Sequence, residues 1–71
     1  MLTNHLRYRM ADRHIDDISD LISRSGVSRN TINKLFRNTQ IETVKLETLM
    51  RLCDALHCKL SDLVEYHPDE E

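Results

Sequence analysis

The chain has 71 residues, of which 39% are hydrophobic and 4% aromatic, and its formal net charge is −2. A chain of this length forms one small domain whose core is close to the minimum size. No apolar run exceeds two residues, which excludes a membrane span and a signal-peptide core. The two cysteines favour an intracellular, cytoplasmic chain over a disulfide-linked secreted one. With one Gly and one Pro, the composition favours an all-α, compact bundle of short helices rather than a set of hairpins.

The first helix is predicted from apolar residues at four-residue steps, Leu2, Leu6 and Met10. Three arginines are expected on its outward side, Arg7, Arg9 and Arg13. The segment DRHIDD then interrupts the pattern. In the second helix Asp17 is the predicted N-cap and Asp20 completes a capping box. Its buried stripe is Ile18, Leu21 and Ile22. Gly26 ends this helix, because glycine adopts a left-handed conformation at little cost.

The third helix follows after only about three residues, the connection expected of a helix-turn-helix. Ser28 is its predicted N-cap, with the hydroxyl accepting from the backbone of Asn30 or Thr31. At about 100° per residue, one side of this helix is an apolar stripe of Ile32, Leu35 and Phe36. The opposite side, an arc of about 140°, carries five hydrogen-bonding side chains, Arg29, Asn30, Asn33, Lys34 and Arg37.

The segment RNTQIETVK has no helical period and is predicted to be a polar loop. A fourth helix follows with a wide apolar face of Leu46, Leu49, Met50, Leu52, Cys53 and Leu56. Ser61 is the predicted cap of a short fifth helix, with Leu60 packed just ahead of it and Leu63 and Val64 inward. We therefore expect a domain over residues 1–66 and an exposed acidic tail over 67–71.

Charge is unevenly distributed along the chain. Residues 1–20 have a net charge of −1, residues 21–45 have +4, and residues 46–71 have −5. The positive third contains the helix-turn-helix segment, which favours a nucleic-acid partner for that part of the chain.

Metal and enzymatic sites have little support in the sequence. Cys53 and Cys58, five residues apart, would point to different sides of one helix, and with His57 they match no common zinc pattern. Cys53 is better explained as a small core residue. There is also no glycine-rich phosphate loop and no nucleophile motif. We expect no catalytic residue, no metal and no cofactor.

Two blocks carry a resemblance to a known family, ISDLISRSGVSRNTINKLFRN and VKLETLMRLCDALHCKLSDLVEY. The first contains Leu, four intervening residues, Gly-Val-Ser, then Thr-Ile and Leu. The second contains Leu-x-x-Leu, Leu-Cys, Ala-Leu and a closing Leu. In this the chain resembles the phage-repressor type (Cro/repressor-like, or Xre) helix-turn-helix regulators of bacteria and phages, over roughly residues 6–66.

The resemblance implies a five-helix, all-α DNA-binding domain of a transcriptional regulator, a repressor, that acts as a homodimer on a near-palindromic double-stranded operator. The third helix would enter the major groove, with its start against the base edges. The base-reading residues implied are Ser28, Arg29, Asn30 and Asn33. The phosphate-binding residues implied are Ser19, Lys34, Arg37, Asn38, Thr39 and Lys45. The sequence departs from the family pattern at Ile18 (usually Gln), Ile22 (usually Ala) and His57 (usually Gly).

Two further expectations concern protein partners. The apolar residues left for a dimer interface are few, and Leu60, Val64 and Tyr66 are the candidates. The alternative function is a protein-interaction module, such as an antitoxin, whose acidic residues 62–71 bind a basic protein.

Overall fold

The computed structural model describes residues 1–69, which form five α-helices and one two-stranded sheet. The helices are α1 (Leu6–Asp12), α2 (Ile18–Ser25), α3 (Arg29–Arg37), α4 (Leu46–Leu56) and α5 (Leu60–Leu63). The strands are β1 (Leu2–Asn4) and β2 (Val64–Tyr66). The predicted helical class with five helices is confirmed, and the sheet is an addition to it. The last two residues of the predicted acidic tail, 70–71, lie outside the described residues.

One cluster of buried side chains, contributed by all five helices and the turns between them, forms the core. Its members are Leu6, Met10, Ile15, Leu21, Val27, Ile32, Leu35, Ile41, Leu49, Leu52, Leu56 and Leu63. No polar or charged residue among 1–69 is buried. The helices are short, so this shared aliphatic cluster, rather than helix propensity, holds them together.

The sheet joins the two ends of the described chain. Strands β1 and β2 are antiparallel, with Leu2 opposite Tyr66 and Asn4 opposite Val64. The prediction that Leu2 belongs to the first helix was therefore wrong, and Val64, predicted inside the fifth helix, is a half-buried strand residue. Four-residue spacing alone does not reveal that the backbone of Leu2 pairs with a strand more than sixty residues away.

The start and end of α2 follow the predicted pattern. Asp17 is the N-cap, and its side chain accepts from the Asp20 N–H at 2.7 Å. The second half of the predicted capping box is replaced by an ion pair, since the Asp20 carboxylate accepts from Arg24 Nε at 3.1 Å. Gly26 ends the helix in the left-handed conformation, with φ of 72°.

The segment between α3 and α4 is more ordered than predicted. It contains a one-turn 3₁₀ helix, Ile41–Thr43, and Ile41 is buried in the core. In α4 the apolar face is narrower than predicted, because Leu46 and Met50 are 58% and 57% exposed. The inward positions of α4 are taken by Leu49, Leu52 and Leu56, with Cys53 half-buried beside them.

At the C-terminal end of α4 the chain reverses at His57, which adopts the left-handed conformation with φ of 51°. Arg13, from the turn after α1, donates to the carbonyls of Leu56 and His57 at 2.8 and 3.0 Å. These bonds satisfy acceptors that a helix end leaves unpaired. The helix α5 then begins after Lys59, whose N–H donates to Asp62 Oδ2 at 3.2 Å. Ser61 lies inside α5, so its predicted role as the cap was wrong.

No helix within residues 1–69 has the length and apolar character that a bilayer crossing requires.

Candidate nucleic-acid interface

The start of α3 is fixed by its cap and by the turn before it. Ser28 is the N-cap in extended conformation, and its hydroxyl accepts from the Thr31 N–H at 3.3 Å, as predicted. The turn from α2 contains Gly26 and the buried Val27. On the inward side of α3, Ile32 and Leu35 are 0% and 1% exposed. The apolar side is thus anchored in the core, and the opposite side of α3 faces outward.

The outward side of α3 forms one wall of a shallow recess of about 350 Å³. Its lining residues are Asn30, Asn33, Lys34, Arg37 and Thr39. Half of the ten residues predicted to contact DNA therefore share a single surface, and none of the lining side chains is acidic. Amide and cationic groups in this arrangement can donate to base edges and phosphate oxygens.

Arg29 and Ser19 connect the starts of the two helices. The Arg29 guanidinium donates to Ser19 Oγ at 3.2 Å, and both side chains are exposed. The contact joins a predicted base-reading residue to a predicted phosphate-binding residue. An arginine has five N–H donors, so most of those on Arg29 are left for other acceptors.

The end of α3 depends on Asn4, a residue that the sequence analysis did not single out. Its Nδ2 donates to the Leu35 carbonyl at 2.7 Å and to Asn38 Oδ1 at 3.1 Å, while its Oδ1 accepts from the Leu6 N–H at 3.1 Å. Asn38 closes α3 in the left-handed conformation with φ of 55°. Since these partners are about thirty residues apart, no local sequence signal could have identified Asn4.

Three of the predicted phosphate residues, Ser19, Asn38 and Lys45, do not line the recess. Lys45 is exposed at the N-cap position of α4, in extended conformation. The structure therefore does not bring Lys45 together with the residues of the recess.

The cations of this surface have no ion-pair partner within the described residues. No carboxylate of residues 1–69 forms an ion pair with Arg29, Lys34 or Arg37. In contrast, Arg24 pairs with Asp20 and Arg51 with Glu47, at 3.1 and 3.2 Å. Of the five basic residues in 21–45, the three on α3 are thus without an ion-pair partner among the described residues.

Phe36 was predicted to be buried in the apolar stripe, but it is only half-buried. The Arg7 guanidinium carbon lies 4.9 Å from the centroid of its ring. At this distance the cation is attracted by the ring face. The aromatic side chain therefore serves both the core and the position of an arginine from α1.

Cys53 and Cys58 lie side by side, so the prediction that they point to different sides was wrong. The reversal at His57 brings the Cys58 N–H to the Cys53 carbonyl at 3.1 Å. Burial and the neighbouring Cys58 thiol raise the pKa of Cys53 to about 11, which keeps this thiol protonated near neutral pH. Within the described part of the chain, no three His, Cys, Asp or Glu side chains are placed to share a metal ion.

Comparison with known proteins agrees with this geometry. The model of the Cro/C1-type HTH DNA-binding domain matches residues 5–69. The chain is also similar to the uncharacterized HTH-type transcriptional regulator YozG of Bacillus subtilis (strain 168), with 30% identity over 54 residues. That alignment covers 76% of this chain and 63% of the relative, so it spans less than two thirds of the relative's length. The chain belongs to the Cro/C1-type helix-turn-helix DNA-binding domain family.

Proposed function

We propose that this protein is a sequence-specific transcriptional regulator, acting as a repressor, that binds double-stranded DNA with α3 in the major groove. The observation that carries the proposal is the outward side of α3. Its amides and cations line one recess, and no carboxylate of residues 1–69 neutralises Arg29, Lys34 or Arg37. The family match over residues 5–69 supports the same function.

The roles of the side chains follow from their chemistry. Arginine can bind guanine N7 and O6 in a bidentate manner, and asparagine can bind adenine N7 and N6. We assign Arg29, Asn30 and Asn33 to base edges, with Ser28 beside them at the start of α3. Phosphate binding is assigned to Ser19, Lys34, Arg37, Asn38, Thr39 and Lys45. Phosphate contacts hold the helix in register, and base contacts supply the specificity.

The operator is expected to be near-palindromic, because one helix reads too few base pairs and a homodimer would read two half-sites about one turn apart. The α5–β2 corner supports this assembly. Leu60 and Tyr66 are 39% and 67% exposed there, and Val64 lies between them. The backbone N–H groups of His5 and His67 donate to the carbonyls of Leu63 and Met1 across the sheet. Since residues along an antiparallel strand alternately face and turn away from the partner strand with their N–H and C=O groups, those of Tyr66 point away from β1. They remain available for a second copy.

Selection of bound duplexes from a random pool tests the proposal directly. We expect enrichment of an inverted repeat, and binding of that duplex should weaken steeply as salt is raised, because several counterions are released. A protein that enriches no sequence, or whose binding does not depend on salt, would not be a regulator of this kind. Sedimentation of the free protein and of its complex with the selected duplex tests the dimer.

A protein-interaction module, such as an antitoxin, is the second candidate function. The observation that favours it is the pair Leu46 and Met50, which are one turn apart on α4 and more than half exposed. Exposed apolar neighbours of this kind often mark protein contacts. Replacing both with Ser should abolish binding of a protein partner and leave binding of the selected duplex unchanged. Loss of duplex binding instead would assign these residues to the DNA-binding assembly.

A further inference from the structure

A second recess lies on the other side of the C-terminal end of α3, between that helix, β1 and α1. Its volume is about 300 Å³. It is lined by Thr3, Asn4, His5, Arg7, Tyr8, Leu35, Phe36 and Asn38. The lining contains hydroxyl, amide and guanidinium donors and no carboxylate. Asn38, already assigned to phosphate, forms part of this wall and adjoins Arg37 of the first recess.

Arg7 is the permanent cation of this second recess. It is exposed, and no carboxylate of the described residues forms an ion pair with it, whereas Arg9 on the same helix pairs with Asp12 at 3.4 Å. Its guanidinium lies over the Phe36 ring at 4.9 Å. An arginine has five N–H donors, so donors of Arg7 remain for an anion. The attraction to the ring also restricts the side chain before any ligand binds.

The position of Phe36 determines where this cation lies. On α3, Phe36 occupies the flank between the buried residue Ile32 and the outward residue Asn33, as the helical period of about 100° per residue requires. The Phe36 side chain therefore borders the outward side of α3, and the Arg7 guanidinium is held next to that side chain. The two recesses flank the last turn of the same helix.

We propose that the second recess binds a backbone phosphate of the DNA, with Arg7 as the cation that contacts it and Phe36 as the residue that positions Arg7. This inference rests on the proposed function, because it adds a phosphate contact from α1 to the duplex bound by α3. It extends the DNA-binding surface beyond the helix-turn-helix unit, to a helix that the sequence analysis had assigned only to the core and to solvent.

The test compares Arg7→Ala with Arg51→Ala, which removes the same charge from the outward face of α4. Affinity for the selected duplex and for a scrambled duplex is measured over a range of salt concentrations. Arg7→Ala should weaken binding of both duplexes on the order of tenfold and should reduce the slope of log affinity against log salt by about 0.9. Arg51→Ala should leave the slope unchanged. Equal behaviour of the two variants would overturn the assignment of Arg7.

The positioning role of Phe36 is tested with Phe36→Leu, alone and combined with Arg7→Ala. If the ring positions Arg7, the loss caused by Arg7→Ala should be smaller in the Phe36→Leu background than in the parent. Additive losses would overturn this role. Circular dichroism at the assay temperature confirms that each variant compared is folded. If Arg7→Ala is not folded, Arg7→Gln takes its place, because it also removes the charge and keeps a long side chain.

Two further outcomes separate this inference from its alternatives. If the parent protein binds no duplex at all, the proposed function itself fails and this assignment fails with it. If the parent binds and Arg7→Ala binds equally well, only the assignment of Arg7 fails. Titration with inorganic phosphate, followed by NMR of the Arg7 side chain, distinguishes the source of the anion. We expect the Arg7 side-chain signal to shift on addition of stoichiometric duplex. A signal that shifts with inorganic phosphate and does not shift with duplex would make the recess a free-anion site and overturn the proposal.

Discussion

Helices α3 and α4 use their inward sides in the same way and their outward sides differently. Each buries aliphatic side chains in the common core, for example Leu35 and Leu52. The outward side of α4 has an internal ion pair between Arg51 and Glu47 at 3.2 Å. The outward side of α3 has cations without a carboxylate partner within residues 1–69. The two helices are alike in amphipathicity and differ in the arrangement of charge on their outward sides, and this difference is the reason why α3 is the helix proposed to bind DNA.

The largest expected effect concerns the aliphatic side chains that both helices bury in the core. Leu35→Ala in α3 and Leu49→Ala in α4 should each lower the free energy of unfolding by about 2–5 kcal/mol, because each removes buried methyl groups and leaves a cavity. The cost should be greater for Leu35, which is 1% exposed, than for Leu49, which is 7% exposed. Urea denaturation measures both. If either variant unfolds like the parent, the side chain concerned does not contribute to the core as described.

The next effect separates base reading from general attraction. Arg29→Ala should weaken binding of the selected operator by about 1–3 kcal/mol and barely change binding of a scrambled duplex, since a bidentate base contact is lost. Titration of both duplexes at one salt concentration measures this. The matched control on α4 is Arg51→Ala. Equal losses on both duplexes would make Arg29 a phosphate contact, and no loss on either would count against α3 as the reading helix.

Smaller and less selective effects are expected at the phosphate positions of α3. Lys34→Ala and Arg37→Ala should weaken binding of all duplexes about equally, and each should reduce the salt slope by about 1. The measurement is the same titration repeated at several salt concentrations. A loss confined to the selected operator would show that the residue reads bases instead.

The smallest expected effect compares two helix ends with similar backbone conformations. Gly26 and His57 both have positive φ, at 72° and 51°. Gly26→Ala should destabilise the protein by about 1 kcal/mol, because an alanine in this conformation is strained. No heavy atom lies within 4 Å of an added Cβ, so the cost is one of backbone conformation alone.

At the end of α4 we expect a change in the residue with positive φ to raise the free energy of unfolding instead of lowering it. His57→Gly should stabilise the protein by about 0.5–1 kcal/mol, since glycine is the residue best suited to this position. The bond from Arg13 to the His57 carbonyl involves the backbone and is retained. Thermal denaturation of both variants measures the two effects. Destabilisation by His57→Gly would indicate that the imidazole makes a contribution beyond its backbone.

The sequence by itself determined the α2–turn–α3 unit and the face that it turns outward. The N-caps Asp17 and Ser28 and the left-handed Gly26 depend on groups within four residues, so the local sequence contains all the information. The outward position of Asn33 and Lys34 follows from the helical period alone. Which of these residues contact DNA stays a prediction, because their roles depend on a partner rather than on the fold.

Only the tertiary structure decided the features whose partners lie far apart in the chain. Three contacts join distant segments: the pairing of Leu2 with Tyr66, the bonds from Asn4 to the end of α3, and the cation–π contact of Arg7 with Phe36. The exposure of Leu46 and Met50 could not be predicted from the sequence either. A helical period identifies an apolar stripe, but it does not show how much of that stripe packs against other elements. Such contacts form only when the core brings the segments together, because each is a matter of packing and not of local conformational preference.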